Sequence, residues 1–521
     1  SRIHLEQPSS SVTALTEQSL DTMPPPVIEP LPIKDAFTAT FPRFADRRGY
    51  FNELFNRVSY PEFVRGSIAG DWKQVSTSLT LEVGTVRGLH LSPYNKFCTV
   101  VSGAIYDVIV DVREDSPTFL KWCASYVSEE NRKQVHVPAY CLHAIMALQP
   151  GTRLLYLQGG TFQPKLESDC TPFEELFGIH WPVSDLSKMI ISDRDRNAPA
   201  ISADSRMPQL KGRARPKRVL VIGASGQVGG AIVKDMEKNG YLVYGTHTAN
   251  PAEGQYTIKF DLEAAAKEPN LADELLSVMR PDIVIICAAF TAVDAAEDNK
   301  EKVYAINVKG PEAVALAAKK IGAKLVVYST EYVWDGTSGP YREDHPISPT
   351  NVYGESKAAM EKSLVTSYPS SLILRTTVVY GPEKQGKNFL YQLCRKLGAG
   401  ETMKVVSDQI SSPTYNRDLA TLTRMLLEAD AAGIFNACGF EVLSRYDFAI
   451  AAAKALGLDP QKIQPSLTAD YNQKAKRPLK AGMSMDKAKA LLGSRFHMRS
   501  VQEAIADWKA SQVEGDAPLL M

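Results

Sequence analysis

Tyr353 and Lys357 stand four residues apart in Tyr353-Gly-Glu-Ser-Lys357, and residues at that spacing share one face of a helix. A lysine ammonium beside a phenol stabilises the phenolate and lowers its pKa, so the phenol can pass a proton to a ketone oxygen at neutral pH. Ser329-Thr330, at the end of an expected strand, supplies the hydroxyl that such a site needs. Upstream, Gly223-Ala-Ser-Gly226-Gln-Val-Gly229 follows an apolar strand and opens a helix. Glycines there permit a tight turn and let the backbone approach a pyrophosphate at the helix N-terminus. Far earlier in the chain, Arg87-Gly-Leu-His90 closes another strand. An imidazole titrates near working pH and suits proton abstraction.

Two textures position these groups. From about 35 to 199, short alternating segments such as Cys98–Val101, Ala104–Val112, Gln134–Val137 and Arg153–Leu157 are separated by turn residues. This predicts an all-β barrel or jelly roll. From Lys217, apolar strands at Arg218–Ile222, Asp282–Cys287, Lys324–Tyr328 and Ser371–Arg375 alternate with helical segments such as Lys309–Ile321. Alternation of this kind predicts a doubly wound parallel sheet over 217–515. Residues 1–34, rich in Ser, Thr and Pro at the start, read as a disordered tail. Residues 200–216 read as a linker. Its basic cluster, Lys211, Arg213, Arg215, Lys217 and Arg218, suits either a solvated linker or an anion-binding patch.

Lys+Arg and Asp+Glu are equal at 59 each, which gives no global attraction to nucleic acid or to an anionic membrane. No apolar run reaches the length of a membrane span. The seven cysteines form no CxxC pair, as expected of reduced thiols in a cytoplasmic protein.

Thr330, Tyr353 and Lys357 together resemble the catalytic triad of an extended short-chain dehydrogenase/reductase. A colinear series narrows this: Cys287-Ala-Ala-Phe-Thr-Ala-Val-Asp-Ala-Ala-Glu297, Tyr328-Ser-Thr-Glu-Tyr-Val-Trp334, Asn351-Val-Tyr-Gly-Glu-Ser-Lys357, Asp408-Gln-Ile-Ser-Ser-Pro-Thr414 and Lys476-Arg-Pro478. The series resembles dTDP-4-dehydrorhamnose reductase over nearly all of 217–510. It is similar, less closely, to the non-enzymatic regulatory subunit of methionine adenosyltransferase. The resemblance implies cofactor contacts at Gly223, Ser225, Gly226, Gln227, Val228, Gly229, Asp261, Leu262, Ala288, Ala289, Tyr353 and Lys357, and substrate contacts at Asn388, Gln409 and Arg477. After the next strand stand Thr246, His247 and Thr248. An acid there would favour NAD, so NADPH is the expected cofactor, with NADH open. Phe290, Glu331 and Val378 stand where the family usually has His, Asp and Trp, which bears on sugar specificity.

In the first half, Asp46-Arg-Arg-Gly49, Gln74-Val-Ser-Thr-Ser78, Arg87-Gly-Leu-His90, Lys96, Tyr106-Asp-Val-Ile-Val-Asp-Val-Arg113, Ser116-Pro-Thr-Phe119, His143, Tyr156, Gly178-Ile-His-Trp-Pro182 and Ser192-Asp-Arg-Asp195 run in order. This series resembles dTDP-4-dehydrorhamnose 3,5-epimerase, a cupin-type jelly roll, over about 35–199. The resemblance implies His90 as base, Asp195 as its carboxylate partner, Lys96 as enolate stabiliser and Tyr156 as the acid on the opposite face. It implies substrate contacts at Arg48, Glu53, Gln74, Arg87 and His143. His90, His136 and His143 do not form the His cluster of a metal cupin, so no metal is expected. Ser76 and Phe162 stand where the family commonly has Asn and Tyr, and Leu91–Asn95 is a shortened segment.

The reading is a bifunctional enzyme acting on a nucleotide-linked 4-dehydro-6-deoxy sugar, first as isomerase and then as reductase. Both resemblances imply a homodimer. A UDP-linked or other deoxysugar pathway stays open, as does a non-catalytic NADP-binding regulatory protein.

Overall fold

The computed structural model describes residues 24–183, 186–201, 207–249 and 257–510. Residues 1–23 of the expected tail, 202–206 of the expected linker and 511–515 of the expected reductase half lie outside the described residues.

The first half is built from two antiparallel sheets. One contains β1 (Val27–Pro30), β2 (Phe37–Thr40), β3 (Gln74–Thr80), β5 (Lys96–Ser102), β8 (Lys133–Val137) and β10 (Thr152–Gln158), in the order β1-β2-β8-β5-β10-β3. The other contains β4 (Thr85–Leu91), β6 (Ala104–Asp111), β7 (Trp122–Ser128) and β9 (Cys141–Ala147), ordered β4-β9-β6-β7, with Ser168–Asp169 beyond β4. Strand β3 alternates between half-buried and exposed positions, the pattern of a strand with one wet face. Strand β6 is buried at every position. Ile105 and Ile109 face the core between the sheets. Tyr106, Val108 and Val110 face a second core with Trp181, Ile201 and Met207.

The second half is a seven-stranded parallel sheet. Its strands are β11 (Arg218–Ile222), β12 (Leu242–His247), β13 (Thr257–Lys259), β14 (Ile283–Ile286), β15 (Lys324–Thr330), β16 (Leu372–Thr376) and β17 (Gly433–Asn436). Their order is β13-β12-β11-β14-β15-β16-β17. Successive residues of β11 feed two cores. Val219 and Val221 pack with Ile232 and Met236 of α1 (Gln227–Lys238). Leu220 and Ile222 pack with Leu276 of α2 (Asn270–Met279) and Val314 of α3 (Gly310–Ile321). Covering both faces explains why these strands read as continuous apolar runs.

Two expectations need correction. Val27–Pro30, placed in the tail, is strand β1 and pairs with β2, so sheet structure begins before residue 35. The linker is also docked, because Ile201, Met207 and Leu210 are buried against the second core of the first half. Three apolar side chains within a polar stretch suffice to anchor it. The basic cluster is partly spent on structure. Arg215 pairs with Asp282 at 3.2 Å, Arg213 lies over Phe119, and Arg218 is buried over Trp122 at 4.1 Å and Tyr244 at 5.1 Å. The Trp122 backbone N–H donates to the Tyr244 hydroxyl at 2.9 Å. Strand β7 of one half thus meets β11 and β12 of the other through a buried guanidinium held between two aromatic rings.

Candidate active sites

In the first half, a cavity of about 570 Å³ opens between the sheets. Arg87 and His90 reach it from β4, Lys96 from β5, His143 from β9 and Tyr156 from β10. Asp195 arrives from a short helix, Asp193–Arg196, whose N-cap Ser192 accepts the Asp195 N–H at 3.1 Å. His90 Nε2 and Asp195 Oδ1 are 2.8 Å apart, and Asp195 Oδ2 accepts the Gly88 N–H at 3.2 Å. Gly88 has φ +125°, and a Cβ there would lie 2.6 Å from the His143 carbonyl. Only glycine allows β4 and β9 to close behind the imidazole. Burial acts to raise the Asp195 pKa, but the hydrogen bonds and the His90 charge outweigh it and hold the carboxyl below its ordinary range.

Deeper in this cavity, His143 Nε2 lies 2.8 Å from Asp107 Oδ2, both buried. Burial lowers the His143 pKa and also that of Lys96, whose ammonium donates to Ser92 Oγ at 3.2 Å. Burial pushes the Tyr156 phenol up, so it stays protonated and can serve as an acid. Cys98, Asp107 and His143 bring ligand atoms within 4.8 Å of one another. This trio has no sequence spacing that announces it, and the neighbouring Lys96 charge opposes a second cation. His136 is structural, bonded to the Asp35 carbonyl at 2.8 Å and stacked on Phe37.

Three expected contacts lie outside the cavity lining. Arg48 is exposed on a hairpin and paired with Asp46 at 2.6 Å. Glu53 accepts from Asn56 and Ser59. Gln74 bonds Ser76 and the Phe162 N–H at the cavity edge. None of the three lines the cavity.

The second half holds a cavity of about 880 Å³ at the C-terminal ends of the parallel strands. One end is the turn from Gly223 to Gly229. A Cβ on Gly223 would lie 2.9 Å from the Ala288 N, and one on Gly229 would collide with the Gly223 carbonyl. The turn therefore leaves bare backbone at the start of α1, a cradle that fits a pyrophosphate. Ser225, Gln227, Val228, Ala288 and Ala289 line the same stretch. Asp261 and Leu262 do not. Asp261 caps the next helix by accepting the Glu263 N–H, and Leu262 is buried in the core.

Further along stand Thr330, ending β15, and Tyr353 and Lys357, one turn apart on α4 (Val352–Ser367). Lys357 Nζ donates to the Tyr328 carbonyl at 3.0 Å. The expected sign of the Tyr353 shift is reversed. Burial pushes the phenol up to about 12 despite a hydrogen bond with Thr330. Burial also lowers Lys357 to about 8. Desolvation dominates both shifts, so the phenol is protonated at neutral pH and can donate. Gln409 and Arg477 line the far end. Arg477 pairs with Asp294 at 2.8 Å. Asn388 lies outside the lining, where it caps α5 (Phe389–Gly398) and donates to the Gly381 carbonyl.

The family model described as RmlD substrate binding domain matches residues 217–511, more than half of the chain. The chain belongs to the RmlD family. Residues 30–203, ahead of the RmlD domain, match the model described as dTDP-4-dehydrorhamnose 3,5-epimerase. Isomerase and oxidoreductase families are thus joined in one chain. The RmlD domain is 32% identical over 277 residues to the dTDP-4-dehydrorhamnose reductase of Mycobacterium tuberculosis, covering 52% of this chain and 86% of that one. It is 34% identical over 267 residues to the spore coat polysaccharide biosynthesis protein SpsK of Bacillus subtilis, covering 50% of this chain and 87% of that one. Among solved structures, the dTDP-4-dehydrorhamnose reductase of Bacillus anthracis in complex with NADP is 29% identical. It superposes with a TM-score of 0.51 and covers 57% of this chain and 99% of that one. No described helix is long and apolar enough to cross a membrane.

Two lining residues, Glu167 and Arg445, had no signal in the sequence. Glu167 closes the first cavity and accepts the Tyr94 hydroxyl at 2.6 Å. In the RmlD domain, Glu331 is buried with one carboxylate oxygen unpartnered, and burial pushes it up to about 8. Arg445 faces the same cavity.

Proposed function

We propose that this chain is a bifunctional enzyme of nucleotide-activated L-rhamnose synthesis. Its first half epimerises a dTDP-linked 4-dehydro-6-deoxy-D-glucose at C3 and C5, and its second half reduces the C4 ketone. On this reading the antiparallel half is a cupin-type jelly roll. The parallel half is a Rossmann-type short-chain dehydrogenase domain. The observation that carries the proposal is the sorting of the reactive groups. His90, Lys96, Tyr156 and Asp195 share one cavity, while Thr330, Tyr353 and Lys357 share another with the glycine cradle.

In the first cavity the C–H bond next to the ketone breaks and its proton goes to the imidazole nitrogen that Asp195 does not hold. The Asp195 carboxylate stabilises the resulting imidazolium. The electron pair moves onto the ketone oxygen, where the Lys96 ammonium opposes the developing charge. Tyr156 returns a proton to carbon from the other face. Arg87 offers a forked donor to the diphosphate.

In the second cavity the backbone of Gly223–Gly229, with Ser225 and Gln227, would hold the pyrophosphate of NADPH, and Lys357 its nicotinamide ribose. Bound there, NADPH supplies a hydride. Tyr353 gives its phenolic proton to the C4 oxygen, and Thr330 orients that oxygen by a hydrogen bond. Thr246, His247 and Thr248 offer no carboxylate at the adenosine end, which supports NADPH over NADH.

Two finer points belong to the same reading. Val75, Leu79, Leu81 and Val83 are exposed along and just beyond edge strand β3, and an apolar row of this kind suits a homodimer interface. All seven cysteines are free, which suits the cytoplasm.

The test is NADPH oxidation followed with dTDP-4-dehydro-6-deoxy-D-glucose. The reading expects turnover that is lost in Tyr353→Phe and also lost in His90→Ala. Oxidation that persists in His90→Ala would mean that the reductase takes the unepimerised sugar. No oxidation with either the dTDP or the UDP substrate would leave the regulatory alternative.

A further inference from the structure

Arg445 is a cation in an awkward place. It is the first residue of α6 (Arg445–Leu456), after the N-cap Ser444. A positive side chain in the first turn opposes the helix dipole. The guanidinium lies over the Phe389 ring, 4.3 Å from its centroid, and lines the larger cavity. The side chain is half-buried there, and partial desolvation lowers its pKa. Nearby arginines are balanced. Arg375 is paired with Glu361 at 2.6 Å, and Arg477 with Asp294 at 2.8 Å. Among the described residues no carboxylate lies within 4.0 Å of the Arg445 guanidinium. The acid acting on it through space is Glu331, which burial keeps largely protonated at neutral pH.

A desolvated charge without a counter-ion is costly unless a ligand supplies one. The position narrows the ligand. The cofactor's pyrophosphate has its own backbone cradle at Gly223–Gly229. Arg445 belongs to the other end of the cavity, where its backbone N–H donates to the Gln409 carbonyl at 2.9 Å and its head acts on Tyr332 and Glu331. Those two residues directly follow Thr330, so the cation sits on the sugar side of the reacting carbonyl. Phe389 fixes the guanidinium plane, which favours a forked contact with phosphate oxygens. We propose that Arg445 binds the diphosphate of the nucleotide sugar in the reductase site. This deepens the proposed function and rests on it for the identity of the nucleotide.

The full chain, saturated with NADP+, is titrated with dTDP by calorimetry. The wild type is expected to take two equivalents, one per half. Arg445→Gln should weaken one of them at least ten-fold and leave the other, and the affinity for NADP+, unchanged. Arg445→Lys keeps the charge without the fork and should lose several-fold. Its melting temperature checks that the fold is intact, and it carries the test if the Gln variant does not fold. Two unchanged equivalents in Arg445→Gln would overturn the proposal. So would weakened NADP+ with unchanged dTDP, which would make the anion the cofactor's, and so would a wild type with a single equivalent that the substitution leaves alone. Because no turnover is needed, a chain that fails to make rhamnose yet responds at Arg445 loses the proposed sugar and keeps this residue.

Discussion

His90 Nε2 and Asp195 Oδ1 lie 2.8 Å apart across 105 residues of chain. The contact is made because Ser192 caps a helix of only four residues whose third member is Asp195, while Gly88 lets β4 close behind the imidazole. The carboxylate is held charged and next to the group it would stabilise. Asp195→Asn keeps the shape and removes that charge. Deuterium uptake from solvent into the sugar, read by NMR without NADPH, should fall by roughly 10²–10⁴. A loss smaller than three-fold would remove Asp195 from the proton-transfer machinery.

The reductase step should fail separately. Tyr353→Phe takes away the one hydroxyl placed to protonate the ketone, and the NADPH-dependent kcat should drop by about 10²–10⁴. Fluorescence titration should return an unchanged NADPH affinity, and deuterium uptake should continue. Simultaneous loss of uptake would show that the two cavities do not work independently.

Much of this was legible from residue types. Strand β11 was expected at Arg218–Ile222 and is found there, because an apolar run flanked by a basic residue and a glycine turn has few other uses. Period and turn chemistry are local, and they survive folding. What escaped is what depends on distant partners. Val27–Pro30 contains Glu and Pro and reads as tail, yet it finds an edge to pair with in β2. Asp261 was expected among the cofactor contacts, and in the fold its carboxylate caps the next helix. The Tyr353 shift was expected downward from the spacing of Lys357, and burial, which no spacing reveals, reverses it. Glu167 and Arg445 are ordinary polar residues in sequence and become cavity walls only through the fold.

Lys357 links stability to pH. Burial lowers its pKa from 10.5 to about 8 in the folded chain, so below pH 8 both states are protonated and the cost of burying the charge is fully present. Between about 8 and 10.5 the unfolded chain binds the extra proton, and stability from this group rises with pH. Lys357→Met should therefore melt higher than wild type at pH 7 while being inactive. The gap should close as the pH is raised toward 10.5. A constant gap in melting curves would contradict a depressed Lys357.

The two halves should also unfold as coupled bodies. Trp122→Ala removes the ring beneath Arg218 and leaves a cavity at the junction, a loss of about 3–5 kcal/mol. Calorimetry should show the wild-type transition splitting or falling by several degrees. The milder Tyr244→Phe strips the partner from the Trp122 N–H and should cost ~1–3 kcal/mol. An unchanged thermogram in both variants would mean that the contact between β7 and β12 does not couple the halves.

The central claim is that two consecutive reactions are performed by one chain. The most direct test incubates the purified protein with dTDP-4-dehydro-6-deoxy-D-glucose and NADPH in deuterated water and reads the product by NMR. The predicted result is dTDP-L-rhamnose carrying deuterium at C3 and C5. A reduced product without deuterium at those carbons, or recovery of unlabelled starting sugar with NADPH unconsumed, would contradict it.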